Sequence, residues 1–271
     1  SDDDASSAGP AKMYTGAPVF AGRDVTNDPF MPKSESLNPK LTRAEALAEV
    51  PLGVRRLLRF IDVLDIFTAP WAPIQFEENE QMLKQLIATH LKLIVGKKEW
   101  KEHKSRLLAI LDTDVELARK QNVVWITNRQ QGKTSTLAKF LAVLAYLSPE
   151  GGSLVYVYST SRDRAQELID ASRKYLWWAT STPEIVDALA DYGLEPPKFK
   201  SDNASGFKLQ SATNSVAVNL IKARPKSVES CRGDAPHSAF FDEVAFVTED
   251  FWCVFIPTPL AKLNLGTITV P

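Results

Sequence analysis

Val123-Val124-Trp125-Ile126-Thr127-Asn128-Arg129-Gln130-Gln131-Gly132-Lys133-Thr134 reads as an apolar strand that runs into Gly-Lys-Thr and then into an amphipathic helix. That order is the context a P-loop requires. Amides of the loop and of the helix N-terminus form a cradle for anions, Lys133 reaches the outer phosphates as a point charge, and the Thr134 hydroxyl is placed to ligate Mg²⁺. Asn128, Arg129, Gln130, Gln131, Gly132 and Ser135 complete the candidate nucleotide-binding loop. Thr127 stands where the usual GxxxxGK[ST] pattern opens on Gly, so the loop is a variant. The bland reading of the same residues is a strand-to-helix turn that happens to contain Gly-Lys-Thr.

About 110 residues downstream, Ser238-Ala239-Phe240-Phe241-Asp242-Glu243 is an apolar strand that ends in two carboxylates. Adjacent acids at a strand end divide the labour: Asp242 holds Mg²⁺, directly or through water, and Glu243 polarises the water that attacks the γ-phosphate. A strand that merely ends in solvated charges looks the same. Here, though, the pair follows the P-loop in the order and at the distance that the chemistry needs. An acid beside the metal-binding Asp favours hydrolysis over phosphoryl transfer to a small acceptor.

Outward from these motifs, the chain from Asn122 alternates short apolar strands with amphipathic helices, the pattern of an α/β domain with a largely parallel sheet. Strands are predicted at 122–127, 153–160, 207–211, 215–221, 238–242 and 263–270. A helix from Lys133 or Thr134 to about Leu147 carries Leu137, Phe140, Leu141 and Leu144 at helical spacing, and the next carries Ala165, Leu168, Ile169, Ser172 and Leu176 on one face. Upstream, Thr42-Arg43-Ala44-Glu45 is a capping box that opens a helical stretch, which Pro51 interrupts. Val54, Leu57, Leu58, Ile61 and Leu64 continue the helical period to Phe67, where Thr68-Ala69-Pro70-Trp71-Ala72-Pro73 ends it, and two more helices are predicted at 78–95 and 98–119. Residues 1–40 hold five of the 17 prolines and few clustered apolar residues, so they read as a flexible tail. The expected organisation is a tail (1–40), a helical subdomain (41–120) and a P-loop ATPase core (121–271), without internal repeats.

Composition sets outer bounds. The 271 residues are 44% hydrophobic and 24% charged, an ordinary globular profile with material for a sizeable core. No run approaches the roughly 18 apolar residues that cross a bilayer, and Ser1-Asp2-Asp3-Asp4 lacks the basic and apolar regions of a signal peptide, so no membrane partner and a cytosolic or nuclear location are expected. Cys231 and Cys253 stand 22 positions apart with no CxxC, which supports neither a disulfide framework nor a structural zinc site. With 32 basic against 33 acidic residues, any contact with DNA must be local. The chain starts without Met and ends at Pro271 directly after a strand-like run, which reads as a core truncated at its C-terminus.

The loop Asn128-Arg129-Gln130-Gln131-Gly132-Lys133-Thr134 resembles the Walker A variant of the large terminase subunit, the motor that packages DNA into the capsids of tailed phages and herpesviruses. Three further stretches are similar to that family: Ser230-Cys231-Arg232-Gly233 ahead of the acidic strand, Glu243-Val244-Ala245-Phe246-Val247 after it, and Gly266-Thr267-Ile268-Thr269-Val270-Pro271 where the family has a Thr/Ser-rich coupling motif. The resemblance covers about residues 70–271. It implies ATP and Mg²⁺ as cofactors and Arg129 as an arginine in cis for the γ-phosphate. By the same resemblance Lys133 and Thr134 bind phosphate and metal, Asp242 binds metal, Glu243 is the base, and Thr267 and Thr269 couple hydrolysis to DNA movement. Gln75 would read the adenine edge, although a solvated loop residue is the simpler account of it.

The fold so implied is an additional-strand P-loop NTPase, RecA- or terminase-like, with a mostly parallel central sheet flanked by helices and preceded by a helical subdomain. Its implied partners are double-stranded DNA, the capsid portal protein, a small terminase subunit or equivalent, and further copies of the chain in a ring. Its implied location is the infected host cell, nuclear or cytoplasmic with the virus, and transiently the portal. The family's ribonuclease H-type nuclease has no counterpart before Pro271, so no nuclease activity is expected within these residues, and Val244 replaces the family's usual Ala. A helicase-type nucleic-acid-dependent ATPase is the alternative, and a P-loop that binds nucleotide only as a structural ligand is a third.

Lesser features have plainer explanations beside functional ones. Lys97–Arg106 is basic with one Trp, but Glu99 and Glu102 interleave and favour a solvated helix face. Trp177-Trp178 offers a stacking platform or core packing. His237 is a spare base or a structural residue, and His90 and His103 have no companion ligands. Arg162 and Arg164, after the second strand, are candidates for an arginine reaching a neighbouring subunit's nucleotide, with surface solvation as the alternative.

Overall fold

A computed structural model gives the architecture of residues 50–68, 77–112, 122–124, 132–159, 161–225, 236–241 and 267–270, the described residues. The N-terminal tail, the capping box at Thr42, Gln75, Thr127–Gln131, Ser230–Gly233, Asp242, Glu243 and both cysteines lie outside them. Helices α1 (Leu52–Thr68), α2 (Glu77–Thr89), α3 (Leu91–Val95) and α4 (Lys97–Ile110) come first. Then follow β1 (Asn122–Val124), α5 (Lys133–Leu147), β2 (Gly152–Ser159), α6 (Arg162–Ser181), α7 (Pro183–Ala190), β3 (Lys198–Asn203), β4 (Gly206–Gln210), β5 (Val218–Pro225), β6 (Ser238–Phe241) and β7 (Thr267–Val270).

Among the described residues seven strands form one sheet in the order β1-β7-β6-β2-β5-β4-β3. The first five are parallel and β4 and β3 add antiparallel, so the sheet is mixed where a largely parallel one was expected. The reason is local: a turn at Asn203–Gly206 folds β4 back on β3, and only Gly fits its end. Gly206 has φ 158°, and a Cβ there would stand 2.3 Å from the Ile221 carbonyl oxygen.

α5 is buried from Thr136 to Leu147, including Lys139, whose Nζ lies 5.9 Å over the Tyr175 ring. A helix apolar all round belongs at the centre of a fold, and α5 packs against the sheet, α6 and the N-terminal helices alike. Phe60 on α1 meets Phe140 edge-on at 5.7 Å, and Phe67 stacks on Tyr146 at 6.3 Å. The helices and the sheet thus share one apolar cluster that runs from Val50 to Phe240. At the far end of α5, the buried Asn219 of β5 donates to the carbonyls of Ala145 (2.8 Å) and Ser148 (2.9 Å), satisfying orphan acceptors of the helix terminus.

Five departures from the sequence expectations have physical causes. The helix expected over 78–95 divides at His90, whose φ of −106° and ψ of 11° leave the helical region while its ring turns inward. The helix expected over 98–119 ends at Ile110 with a left-handed Asp112, φ 50°. The strand expected at 215–221 begins only at Val218, because Asn214 closes a turn by accepting from Val216 N (3.2 Å) and, through its carbonyl, from Ala217 N (3.0 Å). α7 and β3 were not foreseen: Pro183 opens a helix at its first turn where it reads as a breaker, and Lys-Phe-Lys-Ser-Asp-Asn has only one apolar residue, as a charged edge strand does.

Candidate functional site

Parallel strands share an amino edge and a carboxyl edge, and β1 delivers the chain to the carboxyl edge. The loop itself lies outside the described residues, but its end is clear: Gly132 adopts φ 72°, ψ 15°, a left-handed conformation that Gly takes without strain. Its carbonyl accepts from Thr136 N (3.0 Å) and from Ser135 Oγ (2.8 Å), which starts α5 at Lys133. Lys133 is half-buried and Thr134 and Ser135 are exposed. The first amides of α5 have no acceptor inside the helix, and the helix dipole adds partial positive charge there. The Ser135 hydroxyl is engaged in the turn, so the group Ser135 offers a ligand is its amide.

Strand register sets the rest of the edge. Val123 pairs with Thr269 and Val124 with Val270, while Thr269 also pairs with Phe240. Phe241 is therefore level with Val270 and Val124, and the chain leaves β6 towards Asp242 at that level. β7 separates β1 from β6, so their ends stand about 10 Å apart, two strand spacings. Thr269 lies one residue below the edge. Thr267 pairs with Ser238, three residues down from Val270, roughly 10 Å at ~3.3 Å per residue.

Two stacks hold β6 in place. Phe241 lies on Tyr158 of β2 at 4.8 Å, and Phe240 lies on His90 at 5.5 Å. His90 also meets Phe140 of α5 edge-on at 5.1 Å, so it touches the helix that follows the loop and the strand that leads to the acids. Its Nδ1 is 2.8 Å from the Leu86 carbonyl and must carry the proton; Nε2 then accepts from Ser238 Oγ at 2.8 Å. Burial holds this imidazole neutral, its pKa down at about 4. Sequence reasoning gave His90 no role, because its partner lies 148 residues away and no spacing announces it.

Other candidates sort by position. Arg162 and Arg164 are exposed at the start of α6, just past the carboxyl end of β2, where Ser161 caps the helix by accepting from Arg164 N at 3.2 Å. His237 precedes β6, at the amino edge of the sheet, where its amide donates to the Ser153 carbonyl at 2.9 Å and its Nδ1 lies 3.2 Å from the same oxygen. Glu99 is buried and accepts from Gly53 N at 2.8 Å, which makes part of the basic segment on α4 structural. Trp178 packs edge-on against Tyr175 at 5.5 Å, and Trp177 is 55% exposed. Among the described residues no group of His, Cys, Asp and Glu could hold a metal ion, and no helix is long and apolar enough to cross a membrane.

No family model and no curated protein matches the chain. Among solved structures it is similar to the large terminase ATPase domain of Thermus phage P74-26, 14% identical over 61% of this chain and 68% of that one, TM-score 0.42. It is also similar to the large terminase of bacteriophage HK97, 20% identical over 62% of this chain and 32% of that one, TM-score 0.42. A third is the large terminase of a thermophilic bacteriophage, 13% identical over 69% of this chain and 37% of that one, TM-score 0.43. The matched region is thus about a third of the solved chains of these last two large terminases.

Proposed function

We propose that this chain is the ATPase part of a viral DNA-packaging motor of the large-terminase kind. ATP binds at the carboxyl edge of the sheet, and its hydrolysis moves double-stranded DNA towards a capsid portal in the infected cell. The portal protein, a small terminase subunit or equivalent, and further copies of the chain in a ring are the partners of that activity. The observation that carries the reading is the register: the strand entering Gly132-Lys133-Thr134, the strand holding Thr269, and the strand leading to Asp242 and Glu243 end level, with β7 in the middle.

Each residue then has a task its chemistry suits. The left-handed Gly132 and the exposed start of α5 fit a polyphosphate, with Lys133 supplying charge and Asn128 to Gln131 the preceding loop. Thr134 and Asp242 would hold Mg²⁺, which when bound neutralises charge on the phosphate oxygens. Glu243 takes the proton from water, and Arg129 meets the charge that develops on the departing phosphoryl group. Thr269, one residue from the edge, is better placed than Thr267 to respond to that change. Gln75 remains the candidate for the adenine edge.

The test is hydrolysis of ATP by the chain with and without a linear duplex. The reading expects DNA to stimulate turnover and no unwinding of a forked duplex. Hydrolysis indifferent to DNA would overturn the motor assignment, and unwinding would assign a helicase in its place.

A further inference from the structure

The far end of the sheet presents a surface with a chemistry of its own. In β3, β4 and β5, the residues facing α6, Phe207, Leu209 and Ile221, are buried. On the opposite face Lys208 pairs with Ser201 and Leu220, and Lys222 pairs with Gly206 beside Asn203. Ser201, Asn203 and Lys208 are exposed and Lys222 is half-buried. With Ser205 and Leu220 these residues line a depression of about 330 Å³. The two lysines occupy diagonal cross-strand positions, roughly 7–8 Å apart at the backbone.

Charge on this face is one-sided. Between Lys198 and Arg224 the chain has five basic residues and one acid, Asp202, in a molecule of net charge −1, and of the five Lys198 is paired with Glu195. Asp202 is turned to the other face, where Arg173 of α6 holds it at 2.6 Å and also bonds the Asn203 carbonyl at 2.9 Å, which ties the hairpin tip to the helix. Among the described residues neither Lys208 nor Lys222 has an acidic partner. Asn203 spends its Oδ1 on the amide and hydroxyl of Ser205 (3.0 and 2.8 Å), which leaves its amide donors for a ligand. Lysines on an edge strand guard against edge pairing. That accounts for Lys198 and Lys200 on β3 but not for Lys208 and Lys222, which stand on the two inner strands.

We infer that this face of β3, β4 and β5 binds the phosphate backbone of duplex DNA, an inference that rests on the motor reading above and names the surface that grips. Two ammonium groups, the Ser201 hydroxyl and the Asn203 amide suit phosphate oxygens and carry no base code, as sequence-independent movement along DNA demands. The Asn203–Gly206 turn lies level with Lys222 and Ala223, near the carboxyl end of β5, on the same edge of the sheet as Lys133.

The test uses the whole chain, a fluorescent 30-base-pair duplex and anisotropy titrations over a range of NaCl. The variant Lys208→Ala/Lys222→Ala is set against Lys98→Ala/Lys101→Ala, which removes the same charge from exposed positions on α4. The salt slope of log K should fall by about 1.8 in the first variant, two phosphate contacts, and little in the second. Basal ATP hydrolysis without DNA should be unchanged in both, and Lys208→Gln/Lys222→Gln should repeat the loss with polar side chains retained. Equal slopes for the two pairs, with ATP still hydrolysed and DNA still bound, would overturn this face and leave the motor reading standing. No DNA binding by the unaltered, ATP-hydrolysing chain would overturn both.

Discussion

His90 joins three parts of the molecule through one neutral ring, and its protonation is the sharpest residue-scale handle on stability. The folded state holds the imidazole near pKa 4, whereas an unfolded histidine titrates near 6.5. Between those values unfolding takes up a proton, so this contribution is complete above about pH 6.5 and is lost as pH falls towards 4. Its full size is about 3 kcal/mol. Urea unfolding at pH 7.0 and 4.5 should show the loss, and His90→Gln, which hydrogen-bonds without titrating, should show a smaller difference between the two. An unchanged difference would take the effect away from His90. In the segment that precedes α5, Arg129→Ala should lower ATP turnover by 10³-fold or so if the guanidinium acts in cis, read in steady-state phosphate release at saturating ATP. A loss confined to KM would make Arg129 a binding residue only.

At the scale of elements, the antiparallel hairpin depends on Gly206. A methyl group at that position, 2.3 Å from the Ile221 oxygen and 2.9 Å from the Lys222 Cα, forces backbone apart. Gly206→Ala should therefore cost about 2 kcal/mol or more in denaturant unfolding, while Gly193→Ala, where a Cβ would meet nothing within 4 Å, tests strain without a clash. Periodicity made the apolar elements legible: α1, α5, α6, β2, β4 and β6 fall where apolar spacing puts them, because burial writes itself into a period. β3 and α7 were illegible, the one because an edge strand buries a single Phe199 side, the other because Pro183 both ends and begins helices. Of the candidate site, the strand-to-helix turn through Gly132 could be read from the chain, since a strand, Gly-Lys-Thr and a helix are consecutive. The insertion of β7 between β1 and β6 could not, because strand order is set by crossovers and not by any local residue. Nor could the His90–Ser238 bond.

At the scale of the whole molecule, the helical N-terminal group is built into the core of the sheet and is not merely joined to it. α1 packs on α5 through Phe60 and Phe67, and His90 carries the contact on to β6. The helix that follows the loop, β6 and the N-terminal helices thus form one packed unit, with the basic hairpin face at the other end of the same sheet. On the proposed reading, MgATP sits at the carboxyl edge between β1 and β6 and is hydrolysed there. The most direct measurement is equilibrium binding of a fluorescent ATP analogue with Mg²⁺, paired with single-turnover hydrolysis, for the unaltered chain, Lys133→Ala and Glu243→Gln. On that reading Glu243→Gln binds within a few-fold of the unaltered chain but hydrolyses roughly 10²–10⁴-fold more slowly, and Lys133→Ala loses both binding and turnover. Undiminished binding in Lys133→Ala, or undiminished turnover in Glu243→Gln, would contradict it.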